Sequence, residues 1–197
     1  HIYGMDGSPV FWIRDGANSD GSKSINPSEG DFVRMFIGQR RGGHNLYALD
    51  VTGGGTVDTY GKSPKLMWTI QGNDNPADPF SRLGQTWSLP KPVRVDNSYC
   101  KAIGENGNSC VALMFGGGYD SLYDDNSQFG LTASGNAKFK GNAIYMVHAE
   151  TGKLLWWASS DATEADGKPL SQMKYPIPSE LMVLDTDQDR VVDRVYA

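Results

Sequence analysis

No apolar run in the 197-residue chain approaches the roughly 18 residues of a membrane-spanning helix, so no span of that kind is expected. Two cysteines are too few for a disulfide-dense scaffold or a cysteine metal cluster. The three histidines, His1, His44 and His148, stand far apart, without zinc-ligand spacing or a Ser–His–Asp arrangement. Each reads as a surface or packing residue. Basic residues are in the minority, 18 Lys and Arg against 23 Asp and Glu, and the net charge of −5 argues against nucleic-acid binding through phosphates. The chain opens at His1 without an initiator Met, signal peptide or lipidation motif, so a processed or cut start is expected and the chain is read as a fragment.

What is abundant is glycine, 24 residues, alongside 11% aromatics, a mixture that suits short strands joined by tight turns. A repeat organises them. LYALD at 46–50, followed by VTGG, matches IYMVH at 144–148, followed by AETG. Each leads to a Trp-bearing run, PKLMWTI at 64–70 and KLLWWAS at 153–159. Each is preceded by an apolar run ending in glycine, VRMFIG at 33–38 and VALMFG at 111–116, and before those by SPVFWI at 8–13 and KPVRV at 91–95. A third unit starts at Ser179 with SELMVLD, and RVYA at 194–197 takes the place of VRMFIG. These short β-branched and aromatic runs, bounded by Gly, Pro and Asp, predict strands.

Four antiparallel strands per unit is the layout of a β-propeller blade. The expected fold is therefore all-β, with residues 1–197 forming part of a quinoprotein-like propeller: one blade at 7–70, one at 88–159 and the start of a third at 179–197. Two blades and a fragment cannot close a ring, so the remaining blades are expected in sequence outside this chain, or from another copy or chain. The unit resembles the blade of pyrroloquinoline-quinone propellers, Ala-x-Asp-x-x-Thr-Gly-x-x-x-Trp. Tyr145, Ala149, Thr151, Gly152 and Trp156 match it, with His148 in the usual Asp position; Tyr47, Ala48, Asp50 and Trp68 match it in the first unit, with extra glycines at 53–55. Trp68 and Trp156 are read as blade-packing residues that cover the neighbouring blade.

Three loops between first and second strands share one edge. Residues 15–31 form a polar insertion, read as a solvated surface excursion whose aspartates fit no ligand spacing. Cys100 and Cys110 flank the second loop where two paired strands leave and re-enter, which suits a disulfide and an oxidising compartment; the alternative is two free thiols. The third loop is the sharpest motif. Asp185, Asp187, Asp189 and Asp193 alternate with residues that can point away, and the Val191 carbonyl can add an oxygen, a hard donor set that suits Ca²⁺ better than Mg²⁺. Arg190 replaces the turn glycine of an EF-hand, and strands rather than helices flank the loop; the alternative is an acidic, solvated hairpin.

In order along the chain, Tyr3-Gly-Met-Asp6-Gly-Ser-Pro9, the stretch from Phe36 through Gly43 to Thr52, Gly116-Gly-Gly-Tyr-Asp-Ser121 and the Asp loop resemble the C-terminal propeller of the PilY/PilC family of type IV pilus biogenesis proteins and adhesins. That resemblance implies a non-enzymatic, calcium-binding protein at the pilus tip or outer-membrane surface, exported through the periplasm. It also implies contact with minor pilins and a host or abiotic surface, and roles in pilus assembly, control of retraction, attachment and twitching motility. The rival readings are a quinoprotein dehydrogenase and a non-catalytic assembly scaffold. Against the dehydrogenase, the two cysteines are not adjacent and the Asp loop lies on a hairpin rather than at a central channel.

Overall fold

The computed structural model describes residues 3–16, 24–53, 64–124 and 139–197. Among them every regular element is a strand or a short 3₁₀ turn. Strands β1 (Val10–Arg14), β2 (Phe32–Gly38), β3 (Asn45–Asp50) and β4 (Lys65–Gln71) pair in chain order into one antiparallel sheet. Strands β5 (Lys91–Asp96), β6 (Ser109–Gly116), β7 (Ala143–His148) and β8 (Leu154–Ser159) repeat the arrangement. A two-residue strand β9 (Lys168–Pro169) adds to β8 in parallel. The hairpin of β10 (Met182–Leu184) and β11 (Arg194–Tyr196) stands as a third, two-stranded sheet. The all-β expectation is borne out; no sheet closes on itself among the described residues.

The repeat extends to the register. The β3–β4 ladder slips between Ala48 and Leu49, and the β7–β8 ladder slips between Met146 and Val147, the matching place. The bulge sets Trp68 opposite Ala48 and Trp156 opposite Met146, on the same face of their respective sheets.

Side-chain alternation then decides what covers what. Phe36, Leu46, Ala48, Trp68 and Ile70 of the first sheet pack on Leu113, Phe115, Tyr145, Val147 and Trp157 of the second. The other face of the second sheet, with Val93, Val95, Ala112, Met114, Ile144 and Met146, is covered by Leu181 and by Ile177, Val183, Val192 and Val195. Both faces of β7 are therefore buried, which is why AIYMVH shows no polar alternation and even His148 is inside. The first sheet differs: its outer face leaves Phe11, Ile13 and Leu66 about half exposed or more (50%, 57% and 62%).

The sheet-to-sheet contact has a polar anchor. Trp68 Nε1 donates to the Ala149 carbonyl at 2.9 Å, and its ring lies on Gly152, where an added Cβ would sit 2.7 Å from Cδ2. Gly152 has φ +69°, so glycine is needed there both for the backbone and for the indole above it. The ring of Trp68 also stacks on Phe36, with centroids 5.9 Å apart. Beside this contact, Arg34 reaches Asp50 at 2.8 Å within its own sheet and Glu150 at 3.4 Å on the next.

Candidate metal centre

The hairpin that carries the Asp loop is held on the second sheet. Leu181 is buried, its carbonyl accepts from Lys91 Nζ at 2.8 Å, and Val192 N–H donates to the Arg94 carbonyl at 2.9 Å. Val183 and Val195 pair across the hairpin and face the core, leaving Met182, Leu184 and Tyr196 outside.

At its tip the chain turns back on hydrogen bonds to its own aspartates. Asp185 accepts from the N–H groups of Gln188 at 2.6 Å and Arg190 at 2.8 Å. Asp187 accepts from Asp189 N–H at 3.2 Å, and Asp189 accepts from Val191 N–H at 2.7 Å. Asp193 accepts from the N–H and hydroxyl of Thr186, at 2.7 and 2.6 Å. The Thr186 hydroxyl and then its N–H hold the Asp193 carboxyl below its ordinary pKa, so it stays an anion. Gln188 and Arg190 adopt left-handed φ values of 66° and 73°. Arg190 thus takes the backbone shape that glycine supplies in an EF-hand, at a cost in strain.

The result is a convergence of three carboxylates. One oxygen from each of Asp185, Asp187 and Asp193 lies within 4.8 Å of the others, and all three residues are exposed. Asp189 is outside this group; its carboxylate accepts from Val191 N–H. Val191 itself is half-buried in the same loop. Three exposed anions this close repel one another, and a hard divalent cation relieves that repulsion while accepting further oxygens from backbone or water. Spacing alone does not single out Thr186; a hydroxyl between two aspartates was the available signal.

The neighbouring loop is closed by a disulfide between Cys100 and Cys110, whose Cα atoms are 6.4 Å apart. Both sulfurs are buried in the second core. From the closed loop Glu105 reaches His148, with Oε1 3.4 Å from Nε2, while Nδ1 lies 3.0 Å from the Thr151 hydroxyl. Burial pushes the His148 pKa down, against the opposing pull of Glu105 and Glu150, with Lys153 adding to the lowering. Below the ordinary imidazole range the unfolded chain therefore binds a proton that the folded one resists, and stability falls on acidification. The melting temperature should drop from about pH 7 to about pH 5, and His148→Gln should flatten that slope. An unchanged slope in the variant would remove His148 from the account.

In the polar insertion the structure corrects one expectation. Asp31 is buried, not solvated: its carboxylate accepts from Gly16 N–H at 2.7 Å and Asn26 N–H at 2.9 Å and ties the base of the loop. Those two bonds, that to Asn26 first, hold its pKa below the ordinary value. Residues 17–23 of the insertion, the glycine-rich turn from residue 54 and His1 lie outside the described residues. His44 is half-buried, its Nδ1 3.3 Å from the Leu83 carbonyl.

No family model matches the chain. It is 28% identical over 181 residues to a "Type IV pilus biogenesis factor PilY1 homolog" of Xylella fastidiosa strain Temecula1, covering 90% of this chain and 10% of that protein. Its fold is similar to the solved C-terminal domain of Pseudomonas aeruginosa PilY1, with a TM-score of 0.52 and 22% identity, over 98% of this chain and 28% of the other. The chain thus spans about a tenth of the length of the curated relative it matches.

Proposed function

From the premise that the chain is a relative of the PilY1 family, we propose that it is part of a calcium-binding, propeller-type C-terminal domain of a type IV pilus biogenesis factor. The observation that carries the metal part is the meeting of Asp185, Asp187 and Asp193 at the tip of a hairpin anchored to a buried sheet. The propeller reading is supported by the repeated register, by the docking of Trp68 on the next unit, and by the exposed outer faces at Phe11 and Ile13 and at Met182 and Tyr196. Those faces would seat further blades. The disulfide fits a protein exported through the periplasm to the cell surface.

In this reading the domain binds rather than catalyses. It sits at the pilus tip or outer-membrane surface, contacts minor pilins, and supports assembly, control of retraction, attachment and twitching motility. Calcium would bridge the three carboxylates, add the Val191 carbonyl and water, and fix the hairpin on β5.

Isothermal titration of the full-length protein with Ca²⁺ tests the site. Binding should raise stability by mass action, by roughly 2.7 kcal/mol at a hundredfold excess over the dissociation constant. Asp187→Ala should abolish the heat, whereas Asp189→Ala should weaken it less, because Asp189 lies outside the converging group. No calcium heat in the unaltered protein would sink the metal reading. The pilus role is read in a deletion strain: lost piliation restored by the intact gene supports it, and normal piliation and motility in the deletion would end it.

A further inference from the structure

At the end of the sheets opposite the Asp loop, β2 turns into β3 through Gln39-Arg40-Arg41-Gly42-Gly43. Arg40 is one of three non-glycine residues with positive φ among the described residues, at 51°, although glycine would adopt that shape without strain. The turn is clamped from two sides. Arg40 N–H donates to the Thr86 hydroxyl at 3.1 Å, which in turn donates to the Asn45 carbonyl at 3.2 Å. Asp6 accepts from the Arg41 N–H at 3.1 Å and from its Nε at 2.6 Å. So held, the Arg40 guanidinium lies over the ring of Trp87, 4.5 Å from its centroid. Trp87 is fixed by its own bond to Gln85 at 3.1 Å and by an edge contact with Tyr119.

What the arrangement leaves undone is the edge of the guanidinium. Arg34, Arg41 and Arg82 each find a carboxylate. Arg40 finds no acceptor among the described residues, and its Nε is buried without a partner. Stacking uses the face of the guanidinium; with Nε buried, the N–H groups of the two Nη atoms are the in-plane edge left for a planar anion. We propose that the Arg40–Trp87 corner binds a carboxylate presented by an acidic peptide segment of a partner protein. The charge favours that occupant: a chain of net charge −5 places Arg40 over the half-buried Trp87, next to the exposed Tyr3 under an Arg41 that Asp6 already pairs. Arg with Trp and Tyr is also the composition that dominates binding energy at protein interfaces. The inference is independent of the calcium site.

The test is fluorescence anisotropy of a labelled hexaglutamate peptide with the full-length protein, in EDTA so that calcium cannot bridge the two. Arg40→Gly and Arg40→Gln should each bind about tenfold more weakly or worse, as loss of a charge-assisted fork requires. The melting temperature of Arg40→Gly should not fall, because glycine is at ease at this φ. Several results would overturn the proposal: undiminished binding by the variants, equal binding of a hexaglutamine peptide, or displacement of the peptide by equimolar inorganic phosphate. So would Arg40-dependent self-association in sedimentation, which would make a second copy the occupant. Lower melting temperatures in both variants with binding intact would leave Arg40 a packing residue only.

Discussion

Trp68→Ala is expected to destabilise the protein by about 3–5 kcal/mol, the range for truncating a buried aromatic. The indole is only 9% exposed and sits between two sheets, so its removal opens a cavity at the contact rather than at an edge. It also leaves the Ala149 carbonyl without its donor. Trp68→Phe keeps most of the packing and should cost roughly 1 kcal/mol for the lost hydrogen bond plus a partial cavity. Gly152→Ala attacks the same contact from the other side, since its Cβ would run into the Trp68 ring at 2.7 Å. Its cost should shrink in the Trp68→Ala background to about 1 kcal/mol, the backbone penalty of alanine at positive φ. Urea-unfolding midpoints for the four proteins of that cycle are the measurement. Additive losses would mean that the two residues do not meet.

Replacing both Cys100 and Cys110 by alanine should cost about 3 kcal/mol, the chain-entropy value for opening a loop whose ends are 10 positions apart. The loss reaches beyond the loop. Glu105 would no longer be held near His148, and the second core would lose two buried sulfur atoms. The double variant should therefore unfold at lower urea and also show a changed pH dependence. Equal midpoints for the two proteins would mean the bridge is idle in the folded protein.

Much of this architecture was legible from residue order. β-Branched and aromatic runs bounded by Gly, Pro and Asp marked ten of the strands to within a few residues, because a pleated strand with a buried face imposes that composition. β9 was not legible. Lys168 and Pro169 carry no strand signal, and they pair with β8 only because the chain after β8 returns alongside it. Asp31 looked like one more acidic residue in a polar insertion. Its burial follows from two backbone N–H groups 5 and 15 positions away, a relation that composition does not encode.

The Asp loop divides in the same way. Alternating aspartates are a local pattern, and local pattern sufficed to mark the hairpin tip as the place where anions gather. Which of them converge is a matter of turn geometry. Left-handed backbone at Gln188 and Arg190 turns Asp189 toward Val191 N–H and leaves Asp185, Asp187 and Asp193 together.

The sequence by itself determined the strand order, the repeated units and the acidic tip, since each rests on residues near one another in the chain. Only the tertiary structure decided that Trp68 docks on Gly152, that His148 is buried beneath Glu105, that three aspartates and not four meet, and that Arg40 lies over Trp87 with no acceptor among the described residues. Those features join residues far apart in the chain, or depend on which way one turn rotates. Both are set by packing free energy summed over the whole molecule rather than by any local preference.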